Sequence, residues 1–145
     1  MRKSLDDFIG ECDVKITNLE TNLSDFGNFP NQYSGGTWLN TRKELFKYLK
    51  SFEFNFYGTA NNHCMDYSYA GLVSTIDVLD KNGCAHAGTG KSLDDAEKPA
   101  EIKLKKMKPW QFSPLTLRWN YRQWQAGKVK FFTCRRKFPA TRNRV

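Results

Sequence analysis

The sequence predicts an α/β fold built on a largely parallel sheet, and three observations carry that prediction. Apolar and polar residues alternate from Asp13 to Leu19. Phe54 to Ala60 is a short aromatic run with the length and composition of a buried strand. Apolar residues also recur at helical spacing over 42–52 and 69–79, so strands and helices alternate along the chain. Sheets of this kind gather their ligands beyond the carboxyl ends of the strands.

Taken in order, the first strand has Val14 and Ile16 as apolar members and ends at Asn18-Leu19-Glu20, which places Glu20 at or just past a strand end. Residues 24–38 combine Gly, Pro, Asn and Ser too densely for a regular element and read as a surface loop. Thr41 and Glu44 have the spacing of a capping box, which predicts an amphipathic helix from Arg42 to Ser51 with Leu45, Phe46, Leu49 and Phe52 buried. The strand at 54–60 delivers Asn61, Asn62 and His63 at its carboxyl end. A second helix is expected from Ser68 to Lys81, with Tyr69, Leu72, Val73, Ile76 and Leu79 inward and Asn82-Gly83 as its stop. Cys84 to Gly88 reads as a brief strand and Gly88 to Gly90 as a turn. Ser92 caps a short helix closed by Pro99, and the Gly-Lys-Ser run before it lacks the spacing of a phosphate-cradling loop. Residues 107–145 have prolines that interrupt any strand and three tryptophans without a period, so they are not placed in the sheet.

The chain has 145 residues, enough for one domain, and its formal charge of +8 is unevenly spread. Residues 1–101 carry ten Lys or Arg and fifteen Asp or Glu, whereas 102–145 carry thirteen Lys or Arg and no acid. An acid-free run of that length has a chance of about one in a thousand at the earlier frequency of acids, which marks two compositional populations. The cations and aromatics of the basic segment would suit single-stranded nucleic acid or another anionic polymer. Its abrupt onset equally fits a frameshifted tail with no fold of its own. No apolar stretch is long enough to span a bilayer and the first residues lack a secretory signal, so a soluble, cytoplasmic chain is expected. The four cysteines show no C-x-x-C spacing and are expected as reduced, mostly apolar fillers.

The most specific cluster is Ala60-Asn-Asn-His-Cys-Met-Asp66, with Gly71 following. An amide beside an imidazole at a strand end suits phosphoester hydrolysis, because the amide oxygen can ligate a hard metal while the imidazole reaches the phosphate or protonates the leaving group. The plain alternative is an Asn-rich turn with a surface His. His63, Cys64, Cys84 and His86 offer a further alternative, a zinc site, if their strand ends are adjacent.

Thr17-Asn-Leu-Glu-Thr21, Ala60-Asn-Asn-His63 with Asp66, Tyr67 and Gly71, the run Gly83 to Gly90, and Ala96-Glu-Lys-Pro99 together resemble the bacterial capsule-synthesis, poly-γ-glutamate biosynthesis family. That family is a branch of the calcineurin-like metallophosphoesterases, which are hydrolases. The resemblance covers about residues 8–102, with 103–145 as an irregular basic tail outside it. It implies a partial calcineurin-like sandwich, three-layered or an incomplete four-layered one, with divalent metal (Mn, Mg, Fe or Zn) at the strand ends. It further implies Glu20 and Asn62 as metal ligands, His63 as the catalytic imidazole, and Asp66 as the group that orients it. Asn18 is divided between the ligand shell and a local Asx turn, Asn61 is a further candidate of the same turn, and His86 is more often structural in this reading. Partners implied are other capsule or polyglutamate synthesis proteins, and the intact family is associated with the cell envelope.

Two departures limit the expected activity. The twelve residues before Asp13 contain no Gly-Asp turn, and no His follows His86. A pair of metals needs roughly six or more ligands, so catalysis by this chain alone is not expected.

Overall fold

A computed structural model of the protein describes residues 7, 9, 10, 12–34, 36–102 and 115–117. The frameshift reading of the tail and the polymer-binding reading fall almost wholly on residues outside these.

The centre of the fold is a three-stranded parallel sheet in the order β1 (Ile16–Asn18), β4 (Phe56–Gly58), β5 (Ala85–Ala87). Ile16 pairs with Phe56 and Phe56 with Ala85, and both junctions are parallel. All three residues of β4 are buried, and successive side chains point to opposite faces. Phe56 packs with Val14, Ala60, Ala87 and Ile102 on one side. Tyr57 packs on the other side with Leu19, Leu23, Phe46, Val78 and Leu79. That second layer is made by two helices, α1 (Phe46–Lys50) and α2 (Ser68–Lys81). A second parallel pair, β2 (Asn22–Leu23) with β3 (Asn40–Thr41), extends the first strand's segment beyond the sheet.

Helix α2 matches its expected bounds. Its end is a Schellman motif: Gly83 takes φ +64°, its N–H donates to Asp80 O at 2.9 Å, and the Cys84 N–H donates to Leu79 O at 3.0 Å. Leu72, Ile76 and Leu79 are buried as expected, but Tyr69 is 52% exposed and donates its hydroxyl to Lys91 O. Ser92 caps α3 (Leu93–Glu97) by accepting from the Asp95 N–H at 3.2 Å.

The 42–51 helix differs from its expectation. Thr41 belongs to β3, with its hydroxyl 3.1 Å from that of Thr21, and it does not cap anything. A 3₁₀ turn at Lys43–Leu45 precedes α1, and its tighter winding rotates Leu45 off the buried face. Phe46 is buried, Leu49 packs beside it, and Leu45 and Phe52 are 45% and 37% exposed. The tail also departs in one place, since β6 (Ala100–Ile102) pairs antiparallel with β7 (Leu115–Leu117) in a ribbon separate from the parallel sheet.

Two substitutions test this packing. Tyr57 is fully buried and its hydroxyl has no partner among the described residues. Tyr57→Phe is therefore expected to stabilise the protein by about 1 kcal/mol in denaturant titration. Burial, and secondarily Cys84, push the Tyr57 phenol up to about 12. Its unfolded counterpart ionises near 10, so the wild type should lose stability as pH rises from about 10 toward about 12, and Tyr57→Phe should lose less. A Cβ at Gly71 would lie 2.5 Å from Tyr67 Cβ and 3.2 Å from Asn22 Oδ1. Gly71→Ala should cost about 1–3 kcal/mol by the same measurement.

Candidate functional site at the carboxyl rim

Strands β1 and β4 run in the same direction, so the segments that follow them emerge on one rim of the sheet. The Leu19 N–H donates to Gly58 O at 2.8 Å and carries the pairing one residue past β1. Beyond it, Glu20 is exposed and Asn18 Nδ2 donates to Glu20 Oε1 at 2.7 Å. Asn61, leaving β4, is buried between the ends of β1 and β4. Its Nδ2 donates to Leu19 O at 2.8 Å and to Asn18 Oδ1 at 3.2 Å, and its Oδ1 accepts the His63 N–H at 3.0 Å. The side chain of Asn18 thus bridges Glu20 and Asn61, and no Asx turn forms among its described bonds.

His63 Nδ1 lies 2.9 Å from Asp66 Oδ2. Asp66 is 1% exposed, and Oδ2 also accepts the Leu39 N–H at 2.7 Å. Two donors on one oxygen offset much of the cost of burying a carboxylate. The other oxygen, Oδ1, is buried with no hydrogen-bond partner among the described residues. The contact turns the Nδ1 edge of the ring to Asp66 and leaves Nε2 on the edge away from it. Asn62 is half-buried on the same turn. Of the residues singled out in the sequence, Asn18, Glu20, Asn61, Asn62, His63 and Asp66 therefore share one rim.

His86 is the exception. It stands in the middle of β5 opposite Tyr57, and its Nε2 lies 3.0 Å from Asp80 Oδ1 in the last turn of α2, toward the amino end of β5. Its Nδ1 is buried and without a partner among the described residues. The four-residue zinc alternative does not assemble, because each imidazole is held by a different carboxylate. Burial also pushes the Cys64 and Cys84 thiols up, away from the thiolate that zinc requires. Among the described residues no three His, Cys, Asp or Glu side chains form a group able to hold a metal ion.

One residue of the site was passed over in the sequence. Asn22 is 1% exposed in β2; its Nδ2 donates to Cys64 O at 3.0 Å and its Oδ1 accepts the Tyr67 N–H at 2.9 Å. Its partners lie more than forty residues away, and only its place in Thr-Asn-Leu just after the first strand could have drawn attention to it.

The chain is 36% identical over 88 residues to two uncharacterized proteins of Sinorhizobium fredii, y4sH and y4uA, covering 59% of this chain and 19% of theirs. It is 42% identical over 60 residues to the PGA biosynthesis protein CapA of Bacillus subtilis, covering 41% of this chain and 16% of that one. It therefore spans less than a fifth of the length of these curated relatives. The model of the bacterial capsule synthesis protein family PGA_cap matches residues 1–137, a span that includes most of the basic segment, and the chain belongs to that family.

Proposed function

We propose that this chain carries the amide, imidazole and carboxylate portion of a phosphoester-hydrolysing site serving capsule or poly-γ-glutamate synthesis. The observation that carries the proposal is the hydrogen-bonded series from Glu20 through Asn18 and Asn61 to His63 and Asp66, across the ends of two parallel strands. In this reading Asp66 keeps the Nδ1–H of His63 in place, and Nε2, after taking up a proton from water to form the imidazolium, passes it to the leaving oxygen. Glu20 and Asn62 offer hard oxygen donors to a divalent cation, whose role when bound is to polarise the phosphoryl group. The relative named for PGA biosynthesis supports the substrate context, and the cell envelope is the proposed place of work.

A dinuclear centre does not fit the described residues. One Glu20 oxygen is already engaged by Asn18, and among the described residues no three His, Cys, Asp or Glu side chains group closely enough to hold even one metal ion. We therefore propose that the chain is catalytically incomplete by itself and that the remaining ligands come from another segment or a second chain. Among the described residues no helix is long and apolar enough to cross a membrane.

Purified chain with Mn²⁺ or Mg²⁺ is expected to hydrolyse an aryl phosphate no faster than a His63→Ala control. A clear His63-dependent rate would show that the missing ligands are supplied from elsewhere, by another segment or a second copy of the chain, and would overturn the proposal that the chain is catalytically incompetent. Mn²⁺ should broaden the His63 ring resonances before those of His86, and Glu20→Gln should weaken that preference. Equal broadening of both histidines would remove Glu20 and Asn62 as the cation's rim ligands.

A further inference from the structure

The turn that carries His63 and Asp66 is short, contains no glycine, and leads into a residue with strained backbone, Ser68 at φ +55°. Something must hold it in one shape. The Asn22 carboxamide meets it twice, donating to Cys64 O at 3.0 Å and accepting the Tyr67 N–H at 2.9 Å, so residues 64–67 are closed across a single buried side chain. Asn22 also acts through its backbone, because its N–H donates to Leu39 O at 3.1 Å while the Leu39 N–H donates to Asp66 Oδ2 at 2.7 Å. The result is a closed ring of contacts in which Asn22 sets both the turn that presents Asp66 and the backbone donor that Asp66 accepts. The close approach of Gly71 to the same carboxamide, where even a methyl group would crowd it, shows that α2 is seated against this bracket.

We propose that Asn22 is the positioning residue for the His63–Asp66 pair. It touches neither side chain, and its amide has the one donor and one acceptor that this turn requires, which an alcohol or an alkyl group of similar size does not supply at both ends. Its functional weight rests on the phosphoester reading above. The bracket itself does not, and the test is chosen to separate the two.

The full chain has two histidines, and His86 lies against α2 away from the rim, so imidazole NMR reads the site and an internal control in one spectrum. In wild type, the proton between His63 Nδ1 and Asp66 is expected as a slowly exchanging resonance, assigned by its loss in His63→Ala. In Asn22→Ala it should be lost to exchange with water, and the Tyr67 amide should exchange about tenfold faster or more. The His86 ring signals and the helical circular dichroism should stay as in wild type. A His63 resonance that survives in folded Asn22→Ala overturns the proposal, and so does equal displacement of both histidines, which marks general loss of structure. If Asn22→Ala does not fold, the wild type decides. Protection of the Tyr67 N–H and the Asn22 side-chain protons comparable to that of α2 amides supports the bracket, and exchange at free-peptide rates removes it. Because the readout is a proton and not a rate of hydrolysis, failure of the phosphoester reading leaves this result standing, and the reverse also holds.

Discussion

A three-residue strand buried on both faces constrains everything else in this fold. Strand β4 has neighbours on either side, Phe56 committed to one apolar layer and Tyr57 to the other. A slip of one residue would exchange the two faces and bury the wrong side chains. The register is therefore fixed, and with it the point at which Thr59 to Asp66 leave the sheet. The Thr59 hydroxyl bonds Ala87 O at 2.9 Å and receives Thr89 Oγ1 at 2.8 Å, which ties the exit of β4 to that of β5. Asn61 ties it to the exit of β1. The rim is rigid because the strand beneath it has one way to sit.

Electrostatics then sorts the polar groups on that rim. Asn61 and Asp66 are buried and have specific partners, while Glu20 at the edge of the same network remains in water. A buried carboxylate with one saturated and one unsatisfied oxygen is expensive for a protein to keep. Asp66 also accepts the Leu39 N–H at 2.7 Å, a donor that an aliphatic side chain would leave without its acceptor. Its contact with His63 gives the cost a use.

The sequence was most legible where one pattern persisted over many residues. Helix α2 repeats its apolar spacing over fourteen residues and ends at Asn82-Gly83, so its bounds could be read directly. The parallel alternation of β1, β4 and β5 was equally plain. It was less legible where a local signal met a distant partner. Thr41 and Glu44 have the right spacing for a cap, but Thr41 was claimed by Thr21 and the helix began later. Asn61 and Asn62 are indistinguishable as letters, yet one is buried between two strand ends and the other is half-buried. His86 could be assigned to a strand but not to the end of it, since a residue type does not say which carboxylate will reach it. Asn22 was illegible for the same reason, and Leu115 to Leu117 pair with β6 although a proline precedes them in the sequence.

The span of the rim's hydrogen bonds has a consequence for how the protein is assembled. His63 and Asp66 are three residues apart, whereas Asn61 to Leu19 and Asn22 to Cys64 each close 42 residues and Asn22 to Tyr67 closes 45. Loop closure over such distances must be paid for before those bonds return anything, so they belong to the late part of folding. The imidazole and its carboxylate can meet in a nascent chain, but the frame that aims them waits for both halves of the sheet.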